Sequence, residues 1–171
     1  HKKYLVRMAE QYNIPIVEDD VYGELSFSQQ RPLTCKTFDE SGMVLYCGSF
    51  SKTLVSGYRV GWVVPGKYKA AIERTKLYQS LYSSTVTHEA VGNFMEMGRY
   101  DLHLKKIRSE LYKNYVLLQK HIANYFPEET KVTHPKGGMN LWVEFKEGFN
   151  AIELYNNAIS NLISISPGRL Y

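Results

Sequence analysis

The period of apolar and polar positions changes several times along this chain, and each change marks an element. Tyr4, Leu5, Met8, Ala9 and Tyr12 fall at the spacing of one helical face, and Asn13 supplies a stop. Residues 14–18 are a short apolar run with Pro15 near its start, the pattern of a buried parallel strand, and it ends on Asp19 and Asp20. After a polar, proline-containing loop over 28–37, residues 43–50 read as a second buried strand and 58–64 as a third, which Pro65-Gly66 closes. Helical spacing then dominates, at about 67–81, 87–97 and 101–125. The last of these carries Leu104, Ile107, Leu111, Leu118, Ile122 and Tyr125 on one face.

Beyond Phe126-Pro127 the pattern changes again. Residues 131–133 and 139–145 look like two strands around a Gly137-Gly138 turn, and Asn150 followed by Glu153 resembles the capping start of a helix. Residues 163–166 alternate Ile and Ser as a last strand, closed by Pro167-Gly168. Strands alternating with helices predict an α/β fold, a parallel-rich sheet with helices over residues 1–100. Residues 101–126 then form a long connecting helix, and 127–171 an incomplete small α+β domain. There is no internal repeat.

Composition narrows the class. With 171 residues, 44% hydrophobic and 22% charged, the chain is globular, and no stretch approaches the roughly 20 apolar residues of a membrane span. The expectation is a soluble protein with no membrane partner. Its start at His1 lacks both an initiator methionine and a secretory pattern, which suggests a piece of something longer. Two cysteines, Cys35 and Cys47, make neither a disulfide framework nor a zinc pair, so a reducing cytoplasm is expected. The five histidines are scattered at spacings that no common metal site uses, and no metal is expected. The net charge of +4 suits solubility or small anions. Its densest basic run, from His103 to Lys120, is interleaved with a helical apolar stripe and reads as a solvated face rather than a nucleic-acid surface.

The chemistry-bearing residues gather at strand ends, where open parallel sheets bind ligands. Asp19 and Tyr22 follow the first strand, Ser49, Ser51 and Lys52 the second, and Arg59 stands near the start of the third. A partly desolvated lysine there can act as a nucleophilic amine. Two hydroxyls and a guanidinium are the donors a phosphate monoester needs. A carboxylate one strand away can hold a pyridine nitrogen protonated, and a nearby phenol can donate to a ring oxygen. Singly, each of these residues is more often a cap, a turn or a surface charge. The ordered set is what has weight.

Ser49-Phe50-Ser51-Lys52-Thr53-Leu54 with Gly57-Tyr58-Arg59-Val60-Gly61-Trp62 resembles the lysine segment of class I/II aminotransferases, which are fold-type I proteins that use pyridoxal 5'-phosphate (PLP). Glu18-Asp19-Asp20-Val21-Tyr22 resembles the motif that precedes it in that family, and order and separation agree. The resemblance implies that Lys52 forms the Schiff base with PLP, Asp19 pairs with the pyridinium nitrogen and Tyr22 contacts the ring O3'. It further implies that Ser49, Ser51 and Arg59 bind the phosphate. Pro135-Lys136-Gly137-Gly138-Met139, Leu141-Trp142-Val143-Glu144 and residues 163–168 look most like the aminotransferase-like domain of MocR-type regulators in the GntR family. Val55-Ser56 stands where that family often has Ala-Pro, a departure that touches no expected ligand.

Three readings follow. The first is the PLP-binding domain of a MocR-type transcriptional regulator that senses PLP or a small amino compound. Such a protein would be a homodimer and would bind DNA only through a domain absent from this chain. The second is a free-standing aminotransferase acting on an amino acid and a 2-oxo acid, and the third is a non-catalytic module. The resemblance also implies that the rest of the site lies upstream of His1, beyond Tyr171 and in a dimer partner. A chain holding only the lysine half is expected to expose an apolar sheet edge and to be inefficient in transamination by itself.

Overall fold

In the computed structural model, which describes residues 1–28 and 30–171, the chain forms two units. The first comprises residues 1–116 and 135–139, the second residues 117–134 and 140–171. The loop expected over 28–37 includes Gln29, which lies outside the described residues.

The first unit opens with α1 (Lys2–Tyr12), which buries Val6 and Ala9. Asn13 ends it in the left-handed conformation, where asparagine is tolerated, and its N–H and that of Ile14 reach back to the carbonyls of Glu10 and Ala9. A sheet follows, of β1 (Ile16–Asp19), β2 (Val44–Ser49) and β3 (Gly61–Val64) in that order. β1 runs parallel to β2 with Asp19 opposite Cys47, while β3 runs antiparallel to β2 with Gly61 opposite Ser49. The expectation of a buried first strand fails at Val17, 69% exposed: side chains alternate along β1, with Ile16 turned to the core and Val17 to the open face of the sheet. The third strand also begins later than the pattern suggests. Residues Ser56–Tyr58 form a 3-10 turn and Arg59 adopts φ 54°, so the chain straightens only at Gly61.

Val6, Cys35 and Val44 pack with Ile16 and Phe38 into one core cluster, and Phe50, Val60 and Val91 pack with Leu54 and Tyr100 into another. Two carboxylates order the connection between β1 and β2. Glu18 accepts the N–H groups of Cys35 and Lys36 at 2.7 and 3.0 Å, and Asp39 accepts those of Met43 and Val44 at 2.8 and 3.0 Å. Three helices complete the element list up to residue 125: α2 (Lys69–Ser80), α3 (Thr85–Glu96) and α4 (Arg99–Tyr125). The last contributes its start to the first unit and its end to the second. Of the apolar face expected on α4, Leu104 and Ile122 are buried, whereas Leu118 and Tyr125 are exposed.

In the second unit β4 (Lys131–Val132) pairs antiparallel with β5 (Val143–Glu144), shorter strands than their sequence suggests. Gly137-Gly138 does not turn between them. That segment belongs to the first unit, where Gly137 bridges Ser26 and Gly138 N–H donates to Leu25 O, an approach so close that a Cβ at Gly137 would meet the Leu25–Ser26 backbone. Asn150 caps α5 (Ala151–Ser160), accepting from the N–H groups of Ile152 and Glu153. Residues 163–166 form no strand: the alternation fits one, yet they join no ladder among the described residues.

Candidate functional site

The sheet register decides which residues meet. A parallel β1–β2 pair ends on one edge at both carboxyl termini, and the antiparallel return of β3 starts from that same edge. Asp19, Ser49 and the approach to Gly61 are therefore brought to one end of the sheet by main-chain hydrogen bonding.

Beyond β2 the chain turns tightly. Leu54 N–H and Val55 N–H both donate to Phe50 O, at 2.8 and 3.2 Å, and Phe50 N–H donates to Val60 O. Inside this turn Ser49 Oγ accepts from Ser51 N–H at 3.0 Å and lies 2.9 Å from Ser51 Oγ and 3.2 Å from Val60 O. Arg59 Nη1 stands 3.5 Å from Ser51 Oγ, at the limit of a hydrogen bond, so its guanidinium has donors to spare. Ser49, Ser51 and Arg59 thus form a cluster of donors with one full positive charge. Phe50 anchors the turn from below, its ring 5.0 Å from that of Trp62 and 5.4 Å from that of Tyr100.

Lys52 is exposed, and its Nζ lies over the Tyr22 ring, 5.7 Å from the centroid. An amine and a phenol from two different strand ends are thereby brought together. Asp19 is at the mouth of β1, exposed, with Oδ1 accepting Val21 N–H at 3.3 Å. Its charge reaches Cys47, the residue opposite it: burial, with that carboxylate second, pushes the Cys47 thiol above its ordinary range.

One feature of the site carries no local sequence signal. Tyr22 leads into a 3-10 turn, Gly23–Leu25, and Glu24 in that turn binds two arginines, Arg31 Nε at 2.9 Å and Arg108 Nη2 at 3.1 Å. Arg108 Nε also donates to Glu24 O. Arg31 in addition binds Asp20 and, at 2.7 Å, the Tyr46 hydroxyl. Burial and the Asp20 carboxylate raise the Tyr46 pKa. The turn that presents Tyr22 is thus fixed by two arginines, Arg31 from the connection between β1 and β2 and Arg108 from α4.

Chemically the set comprises phosphate-type donors, a solvent-facing primary amine, a phenol beside it and an exposed carboxylate on the neighbouring strand. It fits an aromatic ring bearing a phosphate, a carbonyl and a basic nitrogen. Among the described residues no cluster of three or more His, Cys, Asp or Glu side chains is arranged to hold a metal.

The fold is that of an aminotransferase-like domain, and the comparisons agree. The chain belongs to the family described as aminotransferase class I and II, whose model matches residues 2–169. It is 39% identical over 170 residues to the uncharacterized HTH-type transcriptional regulator YdcR of Escherichia coli, covering 99% of this chain and 36% of that protein. It is 33% identical to aromatic-amino-acid aminotransferase 1 of Thermococcus litoralis, covering 99% of this chain and 41% of that one. The crystal structure of Pyrococcus horikoshii kynurenine aminotransferase in complex with PMP superposes with a TM-score of 0.89 at 30% identity, over 98% of this chain and 42% of that one. The chain therefore spans little more than a third of its curated regulator relatives. No described helix is long and apolar enough to cross a membrane.

Proposed function

We propose that this chain is part of the PLP-binding, aminotransferase-like domain of a MocR/GntR-type transcriptional regulator, with Lys52 as the point of covalent attachment. The observation that carries the reading is the meeting of Lys52 Nζ and the Tyr22 ring beside the Ser49, Ser51 and Arg59 donors. The 39% identity to an HTH-type regulator supports the regulator half of the proposal. Ser49, Ser51 and Arg59 would bind the phosphate, Asp19 would hold the ring nitrogen protonated, and Tyr22 would donate to the ring oxygen. The bound group supplies an electron sink for bonds at the carbon that bears an amine. Lys52 supplies the amine that holds it and yields to an incoming amino acid or amine.

Residues 1–100 in this reading belong to the large domain, 101–126 to a connecting helix and 127–171 to a small domain. The protein would work as a cytoplasmic homodimer, and DNA would be contacted by a separate domain. A second reading, a free-standing aminotransferase, is supported by the 33% identity to the Thermococcus enzyme. There Lys52 Nζ would also move the proton that amino-group transfer requires.

The test is borohydride reduction of the full-length protein after incubation with PLP, followed by peptide mapping. Attachment at Lys52, lost in Lys52→Ala, is the expected result, and an unmodified Lys52 would sink both readings. Amino-group transfer to a 2-oxo acid with no DNA binding would favour the enzyme, and amine-dependent DNA binding the regulator.

A further inference from the structure

We propose that Tyr100 and His103 are positioning residues for Lys52, acting through Thr53. The inference rests on the proposed function only in taking Lys52 as the attachment point.

Thr53 is 1% exposed, although it follows an exposed lysine. Two side chains from the start of α4 bind it. Tyr100 OH donates to Thr53 Oγ1 at 2.8 Å, and His103 Nε2 lies 2.9 Å from Thr53 O. A carbonyl only accepts, so His103 Nε2 carries the proton in this contact. Tyr100 and His103 are three apart, on one helix face, and so reach the same residue together. The Tyr100 ring packs against Phe50, and the His103 ring lies edge-on to Phe94 at 6.2 Å, which limits the freedom of both donors.

A lysine side chain has four rotatable bonds, and aiming its amine requires first that the backbone beneath it be still. On the upstream side Phe50 N–H and O tie the turn to Val60 and to its own exit. On the downstream side Tyr100 fixes the side chain of Thr53 and His103 fixes its carbonyl. Packing alone would be served by a valine at this position. A buried hydroxyl and a buried carbonyl, each given a dedicated donor 47 and 50 residues away, orient the main chain from which Nζ reaches Tyr22.

The experiment compares Tyr100→Phe, His103→Ala and His103→Gln with the wild type, all as full-length protein. Three properties are read: amide hydrogen exchange over residues 52–55, the rate of PLP attachment to Lys52 after borohydride trapping, and thermal melting. Tyr100→Phe keeps the ring and its packing, and glutamine keeps an N–H donor in place of the imidazole. Loss of one such bond is expected to speed exchange at 52–55 about fivefold in Tyr100→Phe and His103→Ala. Attachment should slow, with melting lowered by no more than about 2–4 °C, and His103→Gln should restore both exchange and attachment. Unchanged exchange at 52–55, or a glutamine variant as impaired as the alanine one, would overturn the proposal. If wild-type Lys52 takes up no PLP, the functional reading falls, and the exchange data alone still decide whether Tyr100 and His103 hold the Lys52 segment.

Discussion

Asp39→Asn removes one charge while keeping the shape of a side chain that is 0% exposed. Asp39 Oδ1 accepts Met43 N–H, while Oδ2 accepts Val44 N–H and, at 2.8 Å, Lys36 Nζ, which also donates to Val44 O at 2.9 Å. These bonds seat the first residue of β2, the strand whose far end carries Ser49. Burial opposes the carboxylate, but the Lys36 ammonium and the Val44 and Met43 amides more than offset it and hold the Asp39 pKa below its ordinary 3.8. Asparagine keeps one acceptor for Met43 and points an amide N–H₂ at two donors. Charged hydrogen bonds contribute about 1.5–3 kcal/mol each, and splitting a buried pair costs about 3–5. Lys36 is 24% exposed and regains some hydration, which places the expected cost at the lower end, about 3 kcal/mol.

The sign of the pH dependence is fixed by linkage. A carboxyl whose folded pKa is depressed adds stability that is complete above its unfolded value and is lost as pH falls through the folded value. Urea unfolding of wild type and Asp39→Asn, followed by circular dichroism from about pH 7 downward, should show a gap of about 3 kcal/mol that holds to about pH 4. Below that it should close, because a protonated Asp39 offers little more than asparagine does. A gap that stayed constant toward about pH 2 would refute the charge-based account and leave only a steric one.

Two further outcomes are expected. Gly48→Ala would drive a methyl into the Trp62 indole across the β2–β3 pair, costing about 1–3 kcal/mol and shifting tryptophan emission; an unchanged melting temperature would contradict the packing described. Asp19→Asn should move the iodoacetamide reactivity profile of Cys47 to lower pH, since the opposed carboxylate helps hold the thiol above its ordinary 9.0; an unmoved profile would place the charge of Asp19 away from that sulfur.

What was legible in the sequence, and what was not, divides by range. α1 and its Asn13 stop, the Pro65-Gly66 end of β3 and the Asn150 cap are each decided within a few residues, so spacing and capping chemistry reveal them. Pairing is not local. Nothing in residues 163–166 says that a ladder partner is wanting, and nothing in Gly137-Gly138 says that the turn serves Leu25 and Ser26 instead of joining β4 to β5. Which face of a strand is covered is likewise a property of the assembled layers, which is why Val17 could look like core and prove exposed while Ile16 beside it packs inward.

The candidate site shows the same division within a few ångströms. Ser49, Ser51, Lys52 and Arg59 lie on one short stretch, so their grouping follows from the turn that Phe50 closes and could be expected from the string itself. Tyr22 reaches Lys52 because Asp19 pairs in register with Cys47, a pairing that the two motifs suggest only through their order. Most supports of each half come from farther still: Arg108 on the Glu24 turn, beside the nearer Arg31, and Tyr100 and His103 on Thr53. Arg108, Tyr100 and His103 all belong to α4, a helix whose polar positions read in isolation as a solvated surface. Its first turns deliver donors to both turns that present the amine and the phenol. A substitution on that face of α4 should therefore be felt at Lys52 and Tyr22 before it is felt in the helix, because the hydrogen bonds it removes end on those turns and not on α4 itself.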